Sequence, residues 1–274
     1  MNRLTTMLAA LALAGALGGL LGGALALAAG EDAAGLSEAE KREFAQNQAL
    51  PSPAEMFLAI DRLGDAEWRD TARANPRYDY GDNYARALNL GVRASDGLVA
   101  ILGEDKARLG EAINVIITLA EELMVEHAIL DRSGTFETLA NEGRWKELRD
   151  ELESLRYLIE MEMDQLGDQD VATLVRAGGW LRGLNATAAL LAGEGYPANL
   201  TSILYQPALV DYFEKELAGL DGPAREHPMV RALAEALPRL RSLVNVGYGK
   251  AVPEANIREL ERLSGELVAH IEEG

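Results

Sequence analysis

The sequence predicts an all-α protein, a multi-helix bundle of about eight helices. Three observations carry that prediction. From Ser52 onward, apolar residues recur at steps of three and four almost everywhere. Residues that start and stop helices punctuate these runs at helix-length intervals. No two apolar runs read as a strand pair, and short ones such as Val115-Ile116-Ile117 sit inside longer helical patterns.

The elements follow in order. Ser52-Pro53-Ala54-Glu55 is a start signal: Ser caps the helix, Pro takes the first helical position, and Glu reaches back to the cap N–H. That helix ends near Gly64, and Ala66 to Ala74 adds a turn or two. Asn75 to Gly81 is a loop of turn formers with two tyrosines, Tyr78 and Tyr80, followed by Tyr84. Tyr84 to Leu102 is a helix, broken by Gly103-Glu104-Asp105, and Arg108 to Leu130 is the next. Phe136 to Asn141 is short and stops at Gly143. Trp145, Leu148, Leu152, Leu155 and Ile159 then mark the core stripe of a longer helix, so Thr135 to Leu155 reads as an α-hairpin. Val171 to Leu191 is a helix of small residues. Pro207 starts another, reaching Leu217. Val230, Leu233, Leu237, Leu240 and Val244 form a stripe that contains Pro238, which is expected to kink or split its helix. Ile257, Leu260, Leu263, Leu267 and Ile271 define the last helix.

Composition narrows the function classes. There are 26 Lys+Arg against 44 Asp+Glu, a formal charge of −18, and no Cys. Disulfides, thiolate metal sites and Cys nucleophiles are therefore excluded. Nucleic acid is an unsuitable partner, because binding it relies on basic side chains that neutralise phosphates. The chain divides into three parts: residues 1–29, 30–51 and 52–274. Arg3 is followed by an uncharged run from Leu4 to Ala29, rich in Ala, Leu and Gly, and then by Glu31-Asp32. This is the pattern of a signal peptide cut near Ala28, with an uncleaved membrane anchor as the other reading. The expected destination is the periplasm or the exterior. Residues 30–51 read as a linker or a loosely docked helix, with Ser37 and Glu40 as a capping box.

Two helices carry polar residues that do not suit a plain bundle. Asn89, Arg93 and Asp96 fall at i, i+4 and i+7, so they share one face among Leu88, Leu90, Val92, Leu98 and Val99. Arg182 and Asn185 lie three apart in the helix from Val171. Gly91, Gly97, Gly178, Gly179 and Gly183 sit inside these two helices, each at a cost of up to about 1 kcal/mol against Ala, which implies close packing of backbones. The segment Arg93 to Leu102 resembles Arg182 to Leu191, with Arg on Arg and Asp96 on Asn185, so one reading of the bundle is a degenerate duplication of a four-helix unit and the other a chance likeness of two Ala/Leu-rich helices. The expectation is that the two helices meet centrally, with Asp96 pairing the arginines and Glu122 and Glu126 as further carboxylates. A buried guanidinium without such a partner would be very costly.

Two readings of that cluster follow. In one it is a structural network that sets helix register. In the other, Asn89, Arg93, Asp96, Arg182 and Asn185 line a site for an anionic or polar small molecule, since paired arginines suit carboxylate or phosphate. No catalytic motif is present. His127, His227 and His270 are too dispersed for a metal site, Glu122 and Glu126 beside His127 read as a solvated face, and no cofactor is implied. The sequence thus points to a non-enzymatic, exported helical protein that binds a partner protein or acts structurally in the cell envelope. The small-molecule site is the alternative.

Overall fold

The computed structural model describes residues 68–125, 133–155, 168–193 and 198–274, with 74 and 153 excepted. The expectations for residues 1–29, for 30–51 and for the helix from Ser52 lie outside these residues, as do Glu126, His127 and Ile159. Among the described residues every regular element is helical and no strand occurs, as the apolar periodicity predicts.

Trp68–Thr71 forms one turn, α1. Asp82 caps α2, Asn83–Leu102, by accepting from the N–H groups of Tyr84 at 2.8 Å and Ala85 at 3.0 Å. Asp105 caps α3, Lys106–Glu122, through Arg108 N–H at 3.1 Å. Ser133–Glu142 is α4, and residues 145–152 are helical again. Asp168 caps α5, Gln169–Ala192. A 3₁₀ segment, Ala198–Leu204, leads to α6, Pro207–Gly219. Next come α7, Gly222–Glu226, and α8, Pro228–Val244. The last helix is α9, Glu254–Glu273.

Three details differ from the sequence expectation. The helix expected to reach Leu130 stops at Glu122. Met124 turns left-handed (φ 61°), and its neighbour Val125 donates N–H to Ala120 O at 2.9 Å, closing the end without a glycine. Met124 is also 71% exposed, so its side chain earns little burial in return. Met124→Gly is expected to raise stability by about 0.5–1 kcal/mol in urea unfolding, since an L side chain is strained in this conformation. A neutral or negative change would remove the strain argument. Second, α8 neither splits nor is broken at Pro238. Pro238 and Ala234 both lie on the solvent side, where water can satisfy the carbonyl that lost its N–H partner. Third, the buried stripe of α9 is Ile257, Leu260, Ser264, Leu267 and Ile271; Ser264 takes the place expected of Leu263, which is only half-buried.

α2 and α5 share the most extensive contact in the fold. Both are buried over most of their surface, and α5, enclosed nearly all round, is correspondingly only weakly amphipathic. Contacting positions advance together along the two helices (Leu88 with Gly178, Gly91 with Gly179, Asp96 with Arg182), so they run parallel. α3 covers α2, and α9 packs on α5, with α8 and α6 continuing outward. Trp180 of α5 stacks on Phe213 of α6, with ring centres 4.7 Å apart.

Candidate functional site

The glycines set the geometry of the centre. A Cβ on Gly91 would lie 2.0 Å from Val175 O, and one on Gly178 would lie 2.1 Å from Leu88 O. Backbone therefore packs directly on backbone at the crossing. Ser95 adds a tie there by donating its hydroxyl to Gly179 O at 2.8 Å. One turn further on, the same close approach brings Arg182 of α5 beside Asp96 of α2.

Asp96 is the hub. Its Oδ1 accepts from Arg182 Nε at 2.6 Å, and its Oδ2 lies 2.7 Å from Arg93 Nη1. Arg93 Nη2 pairs with Glu272 of α9. Arg182 Nη1 donates to Asn185 Oδ1 at 3.1 Å, and Asn185 Nδ2 passes the chain on to Ser264 Oγ at 3.2 Å and Glu261 O at 3.1 Å. Ser264 in turn donates to Leu260 O. Asn89 bridges α2 to α9 by donating to Ala85 O at 2.9 Å and Ile271 O at 2.8 Å. Arg93 and Arg182 are each 1% exposed, Asp96 4% and Glu272 8%.

A loop closes the outer side of the cluster. Arg182 Nη2 donates to Thr71 O at 2.7 Å, and Arg93 Nη1 reaches Asn75 O at 3.5 Å. Arg73 meets the second oxygen of Glu272 at 2.5 Å. Arg77 caps the end of α9 through Glu272 O and Glu273 O, where a cation also suits the helix dipole. Tyr80 is buried beneath Arg77, whose guanidinium lies 4.9 Å from the ring centre. Burial pushes the Tyr80 hydroxyl up to about 12, against the opposing pull of Arg93 and Arg77.

Four of the five residues singled out from the sequence (Arg93, Asp96, Arg182 and Asn185) form a continuous chain of contacts, and Asn89, one turn before Arg93, ties α2 separately to α9. Glu122 does not join it; it pairs at the surface with Arg86. The sequence reading missed Glu272, Ser264 and Arg73. Ser264 was legible, because it sits on the three-four stripe of α9. Glu272 was not, since it follows the stripe residue Ile271 in a run of acids at the chain's end.

Chemically, the cluster is closed in charge rather than in hydrogen bonds: Asn89 Oδ1, Arg93 Nε and Asp96 Oδ2 are buried without one. Among the fully buried groups two guanidiniums face two carboxylates, and half-buried Arg73 adds a third cation on Glu272. An incoming anion would meet Asp96 and Glu272 as well as the arginines. Among the described residues, no group of three His, Asp or Glu side chains is placed to hold a metal, and no helix is long and apolar enough to cross a membrane. An open notch of about 560 Å³ lies elsewhere, between α4 and residues 145–152, lined by Thr135, Thr138, Glu147 and Asp150 among others.

A second, smaller tie lies at the start of α2. His227 Nε2 is 3.2 Å from Asp82 Oδ2, and Tyr84 meets the His227 ring edge-on. Partial burial would raise the Asp82 pKa. The N–H groups of Ala85 and Tyr84, together with His227, outweigh it and hold the carboxyl below its usual range. A lowered folded pKa contributes stability above the unfolded value, and that stability is lost as pH falls through the folded value. Asp82→Ala is thus expected to cost about 1 kcal/mol at neutral pH, the usual worth of a cap. The gap to the parent should close in acid, below the Asp82 pKa, in urea unfolding measured across pH. A gap independent of pH would rule out the carboxylate as its source.

No protein-family model matches the chain, and neither a curated protein nor a solved structure matches it.

Proposed function

We propose that this chain is an exported, non-enzymatic helical protein that binds a partner protein or acts structurally in the cell envelope. The observation that supports this reading is the fate of its most unusual side chains. Arg93, Arg182, Asp96 and Glu272 pair with one another, Glu272 with Arg73 as well, and in doing so tie α2, α5 and α9 together. The rival reading, an anionic ligand held by Arg93, Asp96 and Arg182, has that pairing against it. Export rests on the leader pattern of residues 1–29, cut near Ala28 and directing the chain to the periplasm or beyond. A degenerate duplication fits one further observation. Arg93 pairs with Asp96 three residues on, and Arg182 pairs with Asn185 at the same interval on the parallel helix.

Native mass spectrometry of the protein purified from its own envelope tests the proposal. The expected result is a polypeptide that begins near Ala29 and carries no bound small molecule. A retained anionic compound, lost on Arg182→Met, would favour the ligand site instead. An N-terminus at Met1 would remove the cleaved-leader part of the proposal.

A further inference from the structure

The loop that closes the charged cluster is held differently from the rest of the fold. Buried aromatics pin its two ends, Trp68 at one side and Tyr80 at the other. Between them, none of the described residues 69–73 and 75–79 is buried. What fastens this stretch is polar: Thr71 O and Asn75 O to the core arginines, Arg69 Nε to Gly103 O at 2.6 Å, Arg73 to Glu272, and Arg77 to the last carbonyls of α9. Beyond the single turn α1 its local hydrogen bonds are short-range: Thr71 Oγ1 to Trp68 O, Ala72 N–H to Arg69 O, Arg77 N–H to the Asn75 side chain, Arg77 Nε to Asp79 and Tyr80 N–H to Tyr78 O. α2 and α5 beneath it are fixed by apolar burial and by the glycine crossing. Segments with few buried apolar contacts open at lower free energy than the core they cover.

We infer that the described residues 69–73 and 75–79 act as a strap that opens locally, uncovering the guanidiniums of Arg93 and Arg182 while α2, α5 and α9 stay packed. Opening releases Arg182 Nη2 from Thr71 O and one oxygen of Glu272 from Arg73. The pair Arg93–Asp96 within α2 and the inter-helix pairs Arg182–Asp96 and Arg93–Glu272 need no strap residue and persist. The strap is therefore a built-in cover whose position decides whether two buried cations meet solvent.

Arginine modification with phenylglyoxal, mapped by mass spectrometry on the full chain, tests this. Local opening exposes little surface, so its rate depends weakly on urea, whereas global unfolding carries the full denaturant slope. The expected result is modification of Arg182 and Arg93 at a rate nearly flat in low urea. In the Arg73→Ala/Arg77→Ala variant that rate should rise roughly ten-fold, beyond what any shift in its circular-dichroism midpoint explains. Modification that climbs along the global unfolding line would overturn the inference, as would a variant that speeds it only in step with lost global stability.

Discussion

Asp96→Ala is expected to destabilise the protein by about 3–5 kcal/mol, the scale for removing one partner from a buried ion pair. Among the described residues Asp96 is the one carboxylate that touches both central arginines. Without it, Arg93 keeps Glu272, but Arg182 is left with only neutral partners: Asn185, Thr71 O and the desolvated space around them. A loss of that size is a large share of the roughly 5–15 kcal/mol that holds a typical domain folded. Urea unfolding followed by circular dichroism reads it directly as a lower midpoint. Asp96→Asn should fall between the two, since an amide oxygen still accepts from Arg182 but carries no charge. A midpoint unchanged by Asp96→Ala would mean that the arginines are hydrated rather than paired.

The glycine crossing gives the second large effect, with its own internal control. Gly178→Ala and Gly91→Ala each place a methyl about 2 Å from a backbone carbonyl oxygen, a contact no rotamer relieves. The helices must move apart, and Asp96 and Arg182 would then lose register. The expected cost is at least about 3 kcal/mol, at the upper end for overpacking. Gly110→Ala on α3 has open space around its Cβ and should instead stabilise by about 0.5–1 kcal/mol through helix propensity. Thermal melts of these variants side by side separate steric from propensity effects. Equal effects at Gly178 and Gly110 would deny the close approach.

Much of this was legible from residue spacing. Period and punctuation placed α2, α5, α6 and α9 to within a few residues, and glycines inside two apolar helices announced a close crossing. Asp96 could be named as the shared carboxylate because it lies one turn from Arg93 on the same face. What stayed hidden depended on contacts distant in sequence. Glu272 is 179 residues from Arg93 and belongs to an acidic tail that reads as solvated. Its burial follows only once α9 is docked and Arg93 and Arg73 meet its carboxylate. The early end of α3 was missed for a local reason, because a methionine adopts the conformation that usually calls for glycine. At Pro238 the expected split does not occur, since its exposed face lets the helix continue.

The most direct test of a structural role for the central charges is a double-mutant cycle on Asp96 and Arg182, using Asp96→Ala, Arg182→Met and the pair. Buried partners that depend on each other should couple by about 1–3 kcal/mol, leaving the double variant clearly more stable than the sum of the singles predicts. Free energies that add to within about 0.5 kcal/mol would show that the two side chains stabilise the fold independently, and would contradict the shared buried pair on which the three-helix tie depends.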